Sequence, residues 1–333
     1  MKSLPRNVVL PGDARAVLQG LLAESVDCVI TSPPYYRLRD YGVPGQLGQE
    51  TTVDEYVANL RAVMRQVRRV LKPTGSLWLN LGDTYSRRAR AGGPPKSLLL
   101  APERVADALA RDGWLLRNKV VWHKPNPLPS SVADRLSPTY EVLYFFTKSR
   151  RYFFDLNAIR EPHRSAKREG RPQTYESSRF YQGGNGGLGT LKATGRVGHP
   201  NGKNPGDVWT FPTAIDRLGH QATFPARLLE RPIRATCPER ICEQCDRAWT
   251  RPVRLLTVHT AEGSRPVRRV GELGRCDCFA PSRRGVVLDP FFGTGTVGEA
   301  AAGLGRDWLG VELSPVYREL AARRLRLGEP RAA

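Results

Sequence analysis

"GVVLDPFFGTGTVGEAAAGLGRDWLGVEL", residues 285–313, decides the fold. Its first apolar run, 285–288, is short and ends at a turn, as a strand covered on both faces does. The chain then passes through DPFFGTGTVG into the small-residue helix of GEAAAGL, and a second apolar run, DWLGVEL, follows. Gly293, Gly295 and Gly298 thus stand at G-x-G-x-x-G spacing between a strand and a helix, the context in which that spacing carries weight. Strand, glycine turn, helix and strand make a βαβ unit and predict a parallel sheet.

The acids of this unit indicate its ligand. Glu312 ends the second strand about 20 residues beyond the loop, where a carboxylate can accept both ribose hydroxyls of a nucleoside. Asp289, at the carboxyl end of the first strand, would face a pyrophosphate badly but suits the ammonium of an amino-acid-bearing nucleoside. S-adenosylmethionine is such a molecule and NAD is not. The cofactor loop is therefore read as Asp289, Gly293, Thr294, Gly295 and Thr296, with Glu312 at its far side.

A second buried strand stops in an unusual way. In VDCVITSPPYYRLRDYG (26–42), Val26, Cys28, Val29 and Ile30 run into Pro33 and Pro34, which cannot donate to a ladder and fix a rigid extended turn. That turn carries the Ser32 hydroxyl, the Pro33 carbonyl and the Tyr35 ring. Upstream, NVVLPGDARAVLQGLL supplies the strand and helix of another βαβ unit. Downstream, Val57, Leu60, Val63, Met64, Val67 and Leu71 recur at helical spacing behind a capping box of Thr52 and Glu55. Lys72–Gly75 reads as a turn into the strand SLWLNLGD, and residues 86–96 as a basic, mobile loop. A helix near 102–111 and the strands LLRNKVVWHK and YEVLYFFTK continue the pattern. The fold class is α/β: a doubly wound, mostly parallel Rossmann-like sheet with helices on both faces.

The pairing of TSPPY with DPFFGTGT resembles the DNA amino-methyltransferases, which methylate exocyclic nitrogens of cytosine or adenine, and the motif order matches their beta class. VLPGD, GSLWLNLGD, GWLLRNKVVWHKPNPLPSSVADR, NPGDVW and ATFPARL are also similar to this family, so the resemblance covers most of the chain. It implies that Ser32 Oγ and the Pro33 carbonyl accept hydrogen bonds from the target amine, drawing its delocalised lone pair out of conjugation for in-line attack on the cofactor methyl. Pro34 stiffens the clamp and Tyr35 stacks on the flipped base. Asp83 either meets the ring edge of that base or caps the turn after its strand. Asp13 falls where the family contacts the cofactor adenine and also suits a helix N-cap; Phe291 would lie along the cofactor or pack in the core. The serine of S-P-P-Y favours cytosine N4 in double-stranded DNA. Adenine N6 is the alternative, and a non-catalytic zinc-containing DNA-binding protein is the alternative of another class.

The organisation that follows is a catalytic half over 1–160, a target-recognition region over 161–211, a cofactor half over 212–237 and 283–333, and a cysteine-bearing insert over 238–282. Region 161–211 interleaves Arg164, Lys167, Arg168, Arg171, Arg179, Lys192 and Arg196 with Tyr175, Phe180 and Tyr181 among glycines, which suits a groove-following DNA contact. In the insert, Cys242, Cys245, Cys276 and Cys278 form two close pairs at the spacing of a tetrahedral zinc site, while Cys237 is left outside it. The chain has 52 Lys+Arg against 32 Asp+Glu, a net charge of +20 that favours a polyanionic partner. No apolar stretch approaches the roughly 18 to 20 residues of a membrane span, so a cytoplasmic protein is expected. A partner restriction endonuclease fits this reading, whereas the sequence leaves the oligomeric state and the recognition site open.

Overall fold

The computed structural model describes residues 4–127, 129–162, 202–213, 225–260 and 263–326. Its elements in chain order are β1 (Val8–Pro11), α1 (Ala14–Gln19), β2 (Val26–Thr31), α2 (Val53–Val70), β3 (Leu71–Leu81), α3 (Ala101–Arg111), β4 (Leu115–His123), β5 (Tyr140–Thr147) and β6 (Val208–Thr210). There follow α4 (Ala226–Thr236), β7 (Ile241–Cys242), β8 (Val253–Thr260), β9 (Gly263–Val270), β10 (Ser282–Arg283), β11 (Val286–Asp289), α5 (Thr296–Gly303), β12 (Asp307–Glu312) and α6 (Pro315–Arg324). Eight strands form one sheet in the order β1-β12-β11-β2-β3-β5-β4-β6. Neighbours are parallel except where β5 runs against β3 and β4.

Period-2 alternation assigns each strand residue to one of two cores. Val29, Leu77, Leu79, Tyr144, Phe146, Leu288 and Leu309 face α1, α2 and α3. Ile30, Trp78, Leu143, Phe145, Val287 and Trp308 face α4, α5 and α6. On the second face Trp78 stacks on Phe145 at 4.3 Å and donates its indole N–H to Thr236 Oγ1 at 3.0 Å. The capping box of α2 forms as expected, with Thr52 and Glu55 bonding reciprocally.

Four local readings change. Lys72–Gly75 is part of β3 rather than a turn before it, because a register shift against β2 between Val26 and Cys28 absorbs the irregularity. The strands β4 and β5 are consecutive and antiparallel, so the alternation of helix and strand breaks there. Residues 86–96 form a hydrogen-bonded loop: Ser86 N donates to Ser97 O, Lys96 N to Ser86 O, and Ser86 Oγ to the carbonyls of Arg88 and Gly93. The end of the 161–211 region, Val208–Thr210, is the edge strand beside β4. The basic and aromatic residues between 164 and 196 lie outside the described residues.

The cysteine insert carries the antiparallel pair β7/β10 and the hairpin β8/β9. It is moored where β2 and β3 begin, the opposite end of the sheet from Ser32. Asp246, beside Cys245, accepts from Lys72 Nζ at 2.5 Å and from Arg283 at 2.6 Å. Both cations also reach buried Asp27 of β2 at 3.2 Å. Among the described residues no helix is long and apolar enough to cross a membrane.

Candidate active site

Parallel strands end on the same side of a sheet, and here those ends open into a cleft of about 2050 Å³. On one side stands the glycine loop. Gly293 and Gly295 adopt φ of +53° and +88°, a conformation that side chains resist. Gly298 is needed for space, since a Cβ there would meet the Phe292 ring at 2.7 Å. Phe292 in turn stacks on Trp308 at 5.1 Å. Phe291, its neighbour, packs partly buried against the other core and lines the cleft, while Thr294 and Thr296 are buried at its wall.

Glu312 folds back across this loop. Its Oε2 accepts the Gly293 N–H at 2.7 Å and its Oε1 the Ser314 N–H at 2.8 Å. Burial raises its carboxyl above the usual range. Asp289 accepts the Thr31 hydroxyl at 2.6 Å and the Phe291 N–H at 3.0 Å, both on Oδ1. It is only 2% exposed, and burial pushes its carboxyl up to about 7 against the pull of those two donors. A cationic ligand group would restore its charge. Asp13 lines the same cleft and caps α1, accepting the Ala16 N–H at 2.9 Å, so its two readings coexist.

The opposite side is the serine turn. Tyr56 of α2 donates to the Pro34 carbonyl at 3.0 Å and so holds the turn from beneath. Among the described residues no hydrogen bond reaches the Pro33 carbonyl, which leaves it as an acceptor for a ligand. Tyr35 lays one ring face on Gly82, where a Cβ would come within 2.7 Å. Its hydroxyl turns inward, 3.1 Å from Ser32 Oγ. Since Thr31 precedes Ser32 and bonds Asp289, the clamp and the cofactor acids share one strand end.

Asp83 takes the capping role. It accepts the N–H groups of Thr84, Leu100 and Ala101 at 2.8, 2.9 and 3.1 Å, closing the start of α3. Leu100 precedes that helix with φ +54° and caps nothing by its own side chain, so the acid comes from 17 residues away. Three N–H partners commit both oxygens.

Sequence reasoning missed three residues behind the clamp: Asn80, Lys124 and Glu141. Asn80 Nδ2 donates to the Tyr35 hydroxyl at 2.6 Å and to Glu141 Oε2 at 2.8 Å. Tyr35 donates to Glu141 Oε2 at 2.7 Å, and Lys124 pairs with Glu141 Oε1. The available signal was a lone polar residue inside each buried run, the Asn of SLWLNLGD and the Glu of YEVLYFFTK. The rim is basic: Arg37, Arg87, Arg88, Lys96 and Arg135 line it, with Arg135 lying 3.2 Å over the Tyr85 ring.

At the far end of the sheet, ligand atoms of Cys242, Cys245, Cys276 and Cys278 all lie within 4.8 Å of one another. The Cys245 N–H holds the Cys242 thiol down at about 7, while the neighbouring thiols of Cys245 and Cys276 push Cys278 up to about 12. Sulfurs packed this closely ionise together only around a cation, and four thiolates fit tetrahedral zinc. Cys237 is fully buried against Gly285 and Cys28 lies in the core, both outside the cluster.

Residues 26–323 match the N6/N4 methyltransferase family, described as DNA methylase. Over 340 residues the chain is 35% identical to the Type II methyltransferase M.XycI of Xanthomonas campestris pv. cyanopsidis, covering 96% of this chain and 87% of that one. Among solved structures, PvuII DNA methyltransferase (cytosine-N4-specific) superposes with a TM-score of 0.59 at 19% identity, over 99% of this chain and 89% of that chain. A DNA modification methylase of Thermus thermophilus, TTHA0409, complexed with S-adenosyl-L-methionine, superposes with a TM-score of 0.50 at 25% identity, over 95% and 92%.

Proposed function

The chain belongs to the N6/N4 DNA methylases, and from that premise we propose that it transfers a methyl group from S-adenosylmethionine to the exocyclic N4 of cytosine in double-stranded DNA. One observation carries the reading: Ser32 and the unengaged Pro33 carbonyl stand at the strand end next to Asp289, in one cleft with Glu312 and the glycine loop. S-adenosylmethionine fits the donors present. Asp289 would take its ammonium, Glu312 its ribose hydroxyls, and Asp13 with Phe291 its adenine side; when bound, it supplies the electrophilic methyl. Ser32 Oγ and the Pro33 carbonyl would accept the two amine hydrogens of a base extruded from the duplex. The basic rim would hold phosphates, an interaction that weakens with salt. The serine at the head of the turn favours cytosine over adenine.

Two further parts complete the proposal. The residues between 163 and 201 are assigned to target recognition, because the described core supplies catalysis without them and they add much of the positive charge. The four cysteines are assigned to a structural zinc, which would stabilise an insert too small to hold itself.

The test is expression in a methylation-deficient host, followed by nucleoside mass spectrometry and modification mapping of the plasmid. N4-methylcytosine that disappears with Ser32→Ala, while S-adenosylmethionine still binds, is the expected result. N6-methyladenine would move the target to adenine, and unmodified DNA would remove the activity.

A further inference from the structure

The polar chain behind Ser32 has a direction. The Tyr35 oxygen has two lone pairs and one proton. Its proton goes to Glu141 Oε2 at 2.7 Å, and Asn80 Nδ2 fills one lone pair at 2.6 Å. The 3.1 Å contact to Ser32 Oγ can then only be filled by the serine proton. The Asn80 amide cannot be reversed, because its oxygen would meet the Glu141 carboxylate that its Nδ2 now reaches at 2.8 Å. Its Oδ1 is left buried without a partner among the described residues, which shows that the Tyr35 and Glu141 side sets the orientation. Glu141 is anchored in turn by Lys124, both side chains being less than a fifth exposed. Ser32 therefore spends its only proton inward and presents lone pairs alone to the cleft.

We propose that Glu141 and Asn80 are positioning residues that act through the Tyr35 hydroxyl, making Ser32 an obligate acceptor for the target amine and giving the amine proton a path to the Glu141 carboxylate. This rests on the methyl-transfer reading above. The amine lone pair forms the bond to the methyl carbon, and the carbon–sulfur pair departs with sulfur as a neutral thioether. The nitrogen, now cationic, gives one proton to Ser32 Oγ; Ser32 passes its own to Tyr35, and Tyr35 its own to Glu141. One proton moves in total, and both hydroxyls end neutral. A carboxylate is basic enough for this, because an exocyclic ammonium conjugated to a base ring is a strong acid. Tyr35 never needs to ionise, which agrees with its phenol being held well above its ordinary value by burial and by the Glu141 charge.

The test is single-turnover methylation of unmethylated bacteriophage DNA with saturating tritiated S-adenosylmethionine. Tyr35→Phe keeps the ring and removes the relay; Glu141→Gln keeps the shape and removes the base. Each is expected to slow methyl transfer about tenfold or more, with calorimetric S-adenosylmethionine affinity and melting temperature close to those of the parent. The parent rate should be slower in deuterium oxide and the Tyr35→Phe rate should not. In a Ser32→Ala background, Tyr35→Phe should cost little more, since both act through one contact. The proposal is overturned by unchanged rates in both single variants, by a parent rate equal in the two solvents, or by Ser32→Ala and Tyr35→Phe losses that multiply. A Ser32→Ala protein as fast as the parent would overturn the clamp itself as well, a result distinct from failure of the relay alone.

Discussion

S-adenosylmethionine binding should depend on pH through Asp289. This carboxyl, 2% exposed and held by the Thr31 hydroxyl and the Phe291 N–H, is raised by burial from 3.8 to about 7. In the empty protein its neutral form is favoured. A carboxyl with a raised folded-state value contributes most below about 4 and loses that contribution as pH rises towards about 7, about 4 kcal/mol in all. The cofactor ammonium needs the ionised form, so below about 7 binding must release a proton and the apparent dissociation constant grows by one plus ten to the power of the pKa minus the pH. The ammonium itself titrates near 7.7 to 8.0 if it behaves as an ordinary α-amino group, which sets the upper limb. Affinity should therefore be about five- to tenfold higher at pH 7.5 than at pH 6. Titration calorimetry in two buffers of different ionisation heat should show proton uptake by buffer at pH 6. Asp289→Asn should bind more weakly and lose the acidic limb. An affinity that is flat between pH 5.5 and 7.5, or a limb that survives in Asp289→Asn, would refute the reasoning.

Glu312→Ala should weaken S-adenosylmethionine binding by about 1.5–3 kcal/mol, the scale of hydrogen bonds to a charged group, and unchanged calorimetric affinity would move the ribose contact elsewhere. Protein purified without added zinc should contain about one equivalent per chain. A chelator should remove that zinc and lower the melting temperature, whereas a metal-free protein of equal stability would return the four cysteines to plain thiols. Replacing residues 163–201 with a Gly/Ser linker, which spares the edge strand β6, should keep cofactor binding, abolish preference for the cognate duplex and flatten the salt dependence of residual DNA binding; a retained preference would place recognition elsewhere.

The elements that could be read in the sequence are those whose signal is local. The run 285–313 carries its strand, its positive-φ glycines and its next strand within one window, and Pro33–Pro34 stops β2 wherever that strand is placed. The capping box of α2 and the close cysteine pairs are equally short-range. What the window lacks is the partner. Nothing near Ser32 announces that Thr31 will bond Asp289, 258 residues away, and the meeting exists only because β2 pairs with β11 in parallel, which puts both strand ends on one side of the sheet. Asn80 and Glu141 read locally as single polar residues in buried strands. The antiparallel register of β3 on β5, with Asn80 opposite Leu143, brings them together behind Tyr35. Asp83 was ambiguous for the same reason, since the N–H groups of Leu100 and Ala101 that claim it come from another turn of chain. The cysteine insert closes its own cluster but is moored at the end of the sheet away from the cleft, because the charges that hold Asp246 lie where β2 and β3 begin. Periodicity and turn chemistry belong to the chain and can be read from it, whereas strand order and register are set by burial shared between distant segments, and they alone decided which side chains meet.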